Sequence, residues 1–133
     1  MKYLLDTQVL VWAALYPARL PPESKRVMDD PANKLYFSVA SVWEVAIKNA
    51  LQREDFRLDP NIMRRGLIEN DYTELPINGL HAVAAGDLPA IHKDPFDRML
   101  VAQAKVEGIT LMTTDSLIGK YPAPVVLVNK TET

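Results

Sequence analysis

The chain has no cysteine among its 133 residues. That excludes a disulfide framework and any thiolate metal site, and it suits a reducing, cytoplasmic compartment. No apolar run approaches the roughly 20 residues needed to cross a bilayer. The first apolar stretch, Tyr3-Leu4-Leu5, meets Asp6 at once, so neither a signal peptide nor a membrane anchor is expected. Glycine is scarce, with five residues, and the ten prolines are scattered as punctuation, so low-complexity disorder is not indicated. An excess of either charge is also missing. Fifteen basic residues face 17 acidic ones, a net charge of −2, which gives no basic surface able to hold a duplex through charge alone. What remains is 48% hydrophobic content, enough for one domain over residues 1–133 with a sizeable core.

Short apolar runs alternate with helical patterns. Tyr3-Leu4-Leu5 reads as a buried strand, followed by a helix that Thr7 is placed to cap and that stops near Pro17. A more polar helix is expected from about Glu23 to Asp30, and a strand over Lys34 to Ser38. The next helix has the clearest period, with Val39, Val42, Trp43, Ala46, Ile47, Ala50 and Leu51 at i, i+3, i+4 and i+7 spacing. A helix from Pro60 to Asn70 precedes a strand near Thr73 to Leu75, and Gly79 to Gly86 reads as a helix ending at glycine. Asp94-Pro95 has the form of a cap followed by proline at the first helical position, opening a helix from Phe96 to Glu107 that Gly108 closes. Strands over Ile109 to Thr113 and Val125 to Val128, with a turn at Ser116 to Lys120 between them, complete the chain. The alternation predicts an α/β fold, a parallel sheet covered on both faces, whose ligand sites lie beyond the carboxyl ends of the strands.

Asp6, Glu44, Asp97 and Asp115 fall where these elements begin or end. Two carboxylates ~5 Å apart repel by roughly 3 kcal/mol at an effective dielectric of ~20, so four gathered together need a proton or a divalent cation. Each acid also has a plain structural reading. Asp6 can end a strand and cap a helix. Ser41-x-x-Glu44 matches a capping box, and Glu44 with Lys48 forms an i, i+4 pair, which taken alone outweighs a ligand role. Asp115 can cap the turn at Ser116 to Gly119. Asp94 is assigned the cap of its helix, whereas Asp97 aligns with Leu100, Val101 and Ala104 at the tip of an inward stripe. Together the structural readings need four coincidences. The donor set is oxygen-only, with no HExxH or Cys/His spacing, and it favours hard cations such as Mg²⁺ or Mn²⁺.

Four blocks, MKYLLDTQVLVW, SVASVWEVAIK, HKDPFDRMLVAQA and LMTTDSL, resemble in this order the PIN domain in its VapC-type toxin branch, and the likeness spans essentially the whole chain. The resemblance implies a three-layer α/β/α fold with a central parallel sheet of about five strands. It implies Mg²⁺- or Mn²⁺-dependent RNA cleavage by the toxin of a toxin–antitoxin pair, a cognate antitoxin that neutralises it, and a homodimer. Its acidic site falls on Asp6, Glu44, Asp97 and Asp115, with helper hydroxyls at Thr7 and at Thr113 or Thr114.

The other polar residues read less sharply. Arg98 is open between a phosphate contact, a lock on a neighbouring carboxylate and an ordinary ion pair. His92 and His81 read as polar surface, Trp12 and Trp43 as core, and Met63-Arg64-Arg65 as a solvated face. Competing functions are a phosphoacceptor signalling domain, a non-catalytic module whose acids only cap helices, and a phosphatase of small esters. The first lacks paired acids after the first strand and a lysine on the last, and the third lacks a DxD pair.

Overall fold

The computed structural model describes residues 1–51 and 57–128. Strands β1 (Lys2–Leu5), β2 (Lys34–Ser38), β3 (Thr73–Leu75), β4 (Thr110–Thr113) and β5 (Val125–Leu127) form one sheet in the order β3-β2-β1-β4-β5. Every neighbouring pair is parallel. Helices α1 (Thr7–Leu15), α2 (Pro22–Asp29), α3 (Val39–Ala50), α4 (Pro60–Glu69), α5 (Gly79–Asp87) and α6 (Pro95–Glu107) supply the crossovers, with short 3₁₀ turns at Pro17–Arg19 and Ile118–Lys120.

Strand alternation divides the core in two. Leu4, Tyr36 and Leu111 pack with Leu100, Val101 and Ala104 of α6 on one face. Their neighbours Leu5, Phe37 and Met112 pack with Val9 and Leu10 of α1 on the other. The period-2 pattern of each strand thus feeds two helical layers, giving the expected α/β/α sandwich. A smaller cluster of Val11, Val45, Leu58 and Met63 ties α1, α3 and α4 together.

Chain order reverses between β1 and β4: from β1 the chain builds outward through β2 and β3, then returns to add β4 and β5 on the opposite side. Such a switch point opens a crevice at the carboxyl ends of the two central strands. Leu5 pairs with Met112, so Asp6 and Thr113 come next to one another at that crevice.

Helix starts differ from the sequence reading in two places. Asp6, rather than Thr7, caps α1, and its carboxylate accepts from Val9 N–H at 2.9 Å. The cap of α3 is Ser38 at the end of β2, which accepts from Ala40 N–H at 2.9 Å, so no Ser41–Glu44 capping box forms. That start sets the phase of α3, turning Ala40, Ser41, Glu44 and Val45 inward and the apolar stripe read from sequence largely outward. Trp43 is 60% exposed and Leu51 65%. Trp43 meets the Phe96 ring edge-on at 5.2 Å, and Trp12 alone of the two tryptophans is buried. Helix α5 runs one residue past Gly86 and ends in an extended Leu88. Asp94 and Gly108 close the ends of α6 as expected, with Gly108 at φ 68°, the left-handed conformation glycine adopts without strain.

One buried polar contact holds α6 against the strand ends. Ser38 Oγ donates to Gln103 Oε1 at 2.5 Å, and Gln103 Nε2 donates to the Pro76 carbonyl at 3.3 Å. Gln103→Ala leaves a cavity and removes the acceptor of the buried Ser38 hydroxyl, which keeps only its bond from Ala40 N–H. It is expected to lower the unfolding free energy in urea by ~2–4 kcal/mol, whereas Lys105→Ala on the exposed face of α6 is expected to change it little.

Candidate metal centre

Four elements deliver side chains to the crevice. Asp6 follows β1, Glu44 lies on the second turn of α3, Asp97 on the first turn of α6, and Asp115 just after β4. All four, with Thr7, Lys48, Asp94 and Thr114, line one cleft of about 640 Å³. The structure therefore brings together every acid singled out in the sequence, and it adds Asp94 to the wall.

Asp6 is buried and tightly held. Beyond the Val9 N–H, it accepts a short hydrogen bond on Oδ2 from the Thr113 hydroxyl. Thr113 Oγ1 in turn accepts from Asp115 N–H at 3.0 Å, linking the two acids across β1 and β4. Thr7 and Ser41 share a buried hydroxyl–hydroxyl bond of 2.8 Å that fastens α1 to α3 beside the acids. Glu44 is buried too. Its Oε2 lies 3.1 Å from Lys48 Nζ, while Oε1 has no hydrogen-bond donor among the described residues. A buried carboxylate oxygen left in this state costs free energy unless something electropositive meets it.

His92 is the residue sequence reading undervalued. Asp94 N–H donates to His92 Nδ1 at 3.1 Å, which leaves the proton on Nε2. That nitrogen lies 3.1 Å from Asp97 Oδ2 and 3.0 Å from Asp115 Oδ2. Ligand atoms of His92, Asp97 and Asp115 all fall within 4.8 Å of one another, while Asp6 and Glu44 face the same cleft outside that group. The signal in sequence was only the spacing His92-x-Asp94, in which the cap's own N–H orients the imidazole. Asp94 meanwhile caps α6 by accepting from Phe96 and Asp97 N–H at 2.8 and 3.1 Å.

Among the described residues Arg98 forms no ion pair with a carboxylate. Its guanidinium donates to the carbonyls of Ala85, Leu88 and Pro89 at 2.7 to 3.1 Å, closing the carboxyl end of α5. It also reaches the buried Tyr121 hydroxyl, which accepts from His92 N–H at 2.8 Å. Arg98 and Tyr121 thus clamp the loop that carries His92. Thr114 lines the cleft. His81 is wholly buried between Asn78 and Glu107, so it belongs to the α5–α6 packing rather than to the surface.

Crowding and burial work against ionisation. Burial first, then the charges of Asp94 and Glu44, push Asp97 up to about 7 from 3.8. Burial also dominates at Asp6, outweighing the stabilising bonds from Thr113 and Val9 and raising it to about 6. A raised folded-state pKa means the folded protein keeps protons that the unfolded chain releases, so these groups weaken the fold as pH rises from about 4 to about 7. In chelator, Asp97→Asn is therefore expected to be more stable than wild type at pH 8, by on the order of 2 kcal/mol. The difference should vanish below pH 4. Urea titrations of both proteins across that range measure it, and a wild type as stable as the variant at pH 8 would refute the assignment.

The PIN domain profile matches residues 3–123. A search of curated proteins returned no significant sequence match. Among solved structures, VapBC2 from Rickettsia felis bound to a DNA fragment from its promoter contains a chain with TM-score 0.71 and 15% identity, covering 97% of this chain and 98% of that one. DNA-bound VapBC from Salmonella typhimurium gives TM-score 0.68 at 16% identity, covering 98% and 99%. A domain of a functionally unknown protein from Methanocaldococcus jannaschii gives 0.62 at 16%, covering 99% and 94%. At these identities the likeness is one of fold. The profile's span takes in β1 through β4 and with them Asp6, Glu44, Asp97 and Asp115, and the chain belongs to the PIN domain family.

Proposed function

We propose that this chain is a divalent-metal-dependent endoribonuclease, the toxin of a VapC-type toxin–antitoxin pair acting in the cytoplasm. The observation that carries the reading is the cleft itself. Two of its carboxyls resist ionisation, and a third keeps a buried oxygen without a donor among the described residues, an arrangement complementary to positive charge. The donors are hard oxygens, and they fit Mg²⁺ or Mn²⁺. Asp6, Glu44, Asp97 and Asp115 would hold the ion. When bound, it supplies Lewis acidity toward water and the phosphate oxygens.

The chain's own residues do the rest. Thr113 and Val9 N–H fix the Asp6 carboxylate, so its free electron pairs point into the cleft. His92 Nε2–H, held by the clamped loop, donates to Asp115 Oδ2 and lies 3.1 Å from Asp97 Oδ2, so it would help orient both acids. Thr114, on the cleft wall, would orient water. The fold neighbours named VapBC support a toxin paired with an antitoxin. No helix among the described residues is long and apolar enough to cross a membrane.

Asp6→Asn and Asp97→Asn are expected to abolish Mg²⁺- or Mn²⁺-dependent cleavage of single-stranded RNA while remaining folded by circular dichroism. Thr113→Val, which frees Asp6 to rotate, should lower activity by ~10–100-fold. Full cleavage in excess EDTA, or by both Asn variants, would refute the proposal.

The homodimer has its own support. Trp43, Ile47 and Leu51 present an exposed apolar line on α3, and Leu80 and Val83 are exposed on α5. Sedimentation is expected to show a dimer at micromolar concentration that Trp43→Glu converts to monomer. A monomeric wild type would remove this part of the reading.

A further inference from the structure

The cleft continues past the acids, along α1 through Gln8, Val11 and Trp12 to Tyr16 and Arg19. Asp6 and Tyr16 cap the two ends of α1, so they stand ~15 Å apart at 1.5 Å per residue. The far end has a different chemistry. Positions i and i+3 eclipse in a 3₁₀ turn, and the turn at Pro17–Arg19 carries the Arg19 guanidinium over the Tyr16 ring, 4.5 Å from its centroid. Tyr16 is 42% exposed, and Arg19 is exposed as well. Among the described residues Arg19 forms no ion pair with a carboxylate, whereas Lys48, the other cation of the wall, is engaged by Glu44.

Resting on the nuclease reading, we infer that Tyr16 and Arg19 form a nucleotide platform for a single-stranded RNA substrate, at the opposite end of the cleft from the scissile phosphate. One base stacks on the pair, and the adjoining phosphate meets the guanidinium. Every base has a π-face, so stacking on an aromatic or guanidinium plane binds single strands without demanding a sequence. The platform also places positive charge where the strand leaves the acids, which by themselves repel phosphate. A stacked strand advances ~3.4 Å per nucleotide, so the platform lies within about four nucleotides of the cleavage point. Bases paired in a duplex do not offer a free face to it, which makes the platform selective for single strands.

The test is fluorescence anisotropy in Ca²⁺ buffer with a 5′-fluorescein RNA of about 12 nucleotides, within the ~4–16 of known single-strand sites. Tyr16→Ala is expected to weaken binding roughly tenfold, with Tyr16→Phe close to wild type. Arg19→Ala should weaken it several-fold and flatten the slope of log K against log salt by about 0.7, the signature of one lost phosphate contact. Arg65→Ala, an exposed cation off the cleft, should change neither quantity. Wild-type affinity and slope in both Tyr16→Ala and Arg19→Ala would overturn the platform, including the case in which a protein segment is its real occupant. Parallel Mg²⁺ cleavage assays separate the two failures. Retained cleavage with unchanged binding rejects the platform alone, whereas a wild type that neither binds nor cleaves RNA rejects the nuclease reading and the platform with it.

Discussion

Pairing of β1 with β4 is the constraint on which the site depends. The register that sets Leu5 against Met112 also sets Asp6 beside Thr113, and the hydroxyl of one fixes the carboxylate of the other. Because these strands flank the point where chain order reverses, the helices that follow and precede them part at that edge. The opening is thus a product of topology, and the acids occupy the positions where strands end and helices begin. Asp115 is drawn in by its N–H bond to Thr113, and Asp97 by the first turn of α6, whose apolar stripe is anchored in the core below.

Gathering these carboxyls weakens the fold. Asp6 and Asp97 both sit where burial disfavours the anion, and neighbouring acids add to the effect. The surroundings restrain the cost in identifiable ways: the helix amino termini behind Asp6 and Asp97, the Thr113 hydroxyl, Lys48 against Glu44, and the His92 N–H, which donates to Asp115 beside Asp97. None of these restraints reaches Glu44 Oε1. A site that is destabilising alone and complementary to a cation is the usual form of a functional compromise between stability and activity.

Much of this was legible in the chain. The alternation of short apolar runs with helical periods located the five strands, because buried parallel strands carry little else. Asp94 declared itself as a cap through the proline that follows, which left Asp97 as the inward acid. The misreadings share a cause. Helix α3 was oriented by its apolar stripe, but its inward face carries Ser41 and Glu44 for the site, so the more hydrophobic face is the one left outside. Thr7 and Asp6 both offer a cap to α1 by sequence, and the acid takes it while also lining the cleft. For His92 and Arg98 the contacts that hold them come from residues distant in sequence: Asp115 for the imidazole, and the end of α5 with Tyr121 for the guanidinium. Composition and spacing carry no information on such contacts. The Tyr16–Arg19 pair went unread because only the course of the cleft gives it meaning.

The acid cluster is proposed to hold a divalent cation. Calorimetric titration of the chelator-treated protein with Mn²⁺ tests it most directly, free of any assumption about substrate. Saturable binding by the wild type is expected, accompanied by a rise in its melting temperature, with loss of both in Asp6→Asn. A wild type that shows neither heat of binding nor stabilisation at millimolar Mn²⁺ would contradict it.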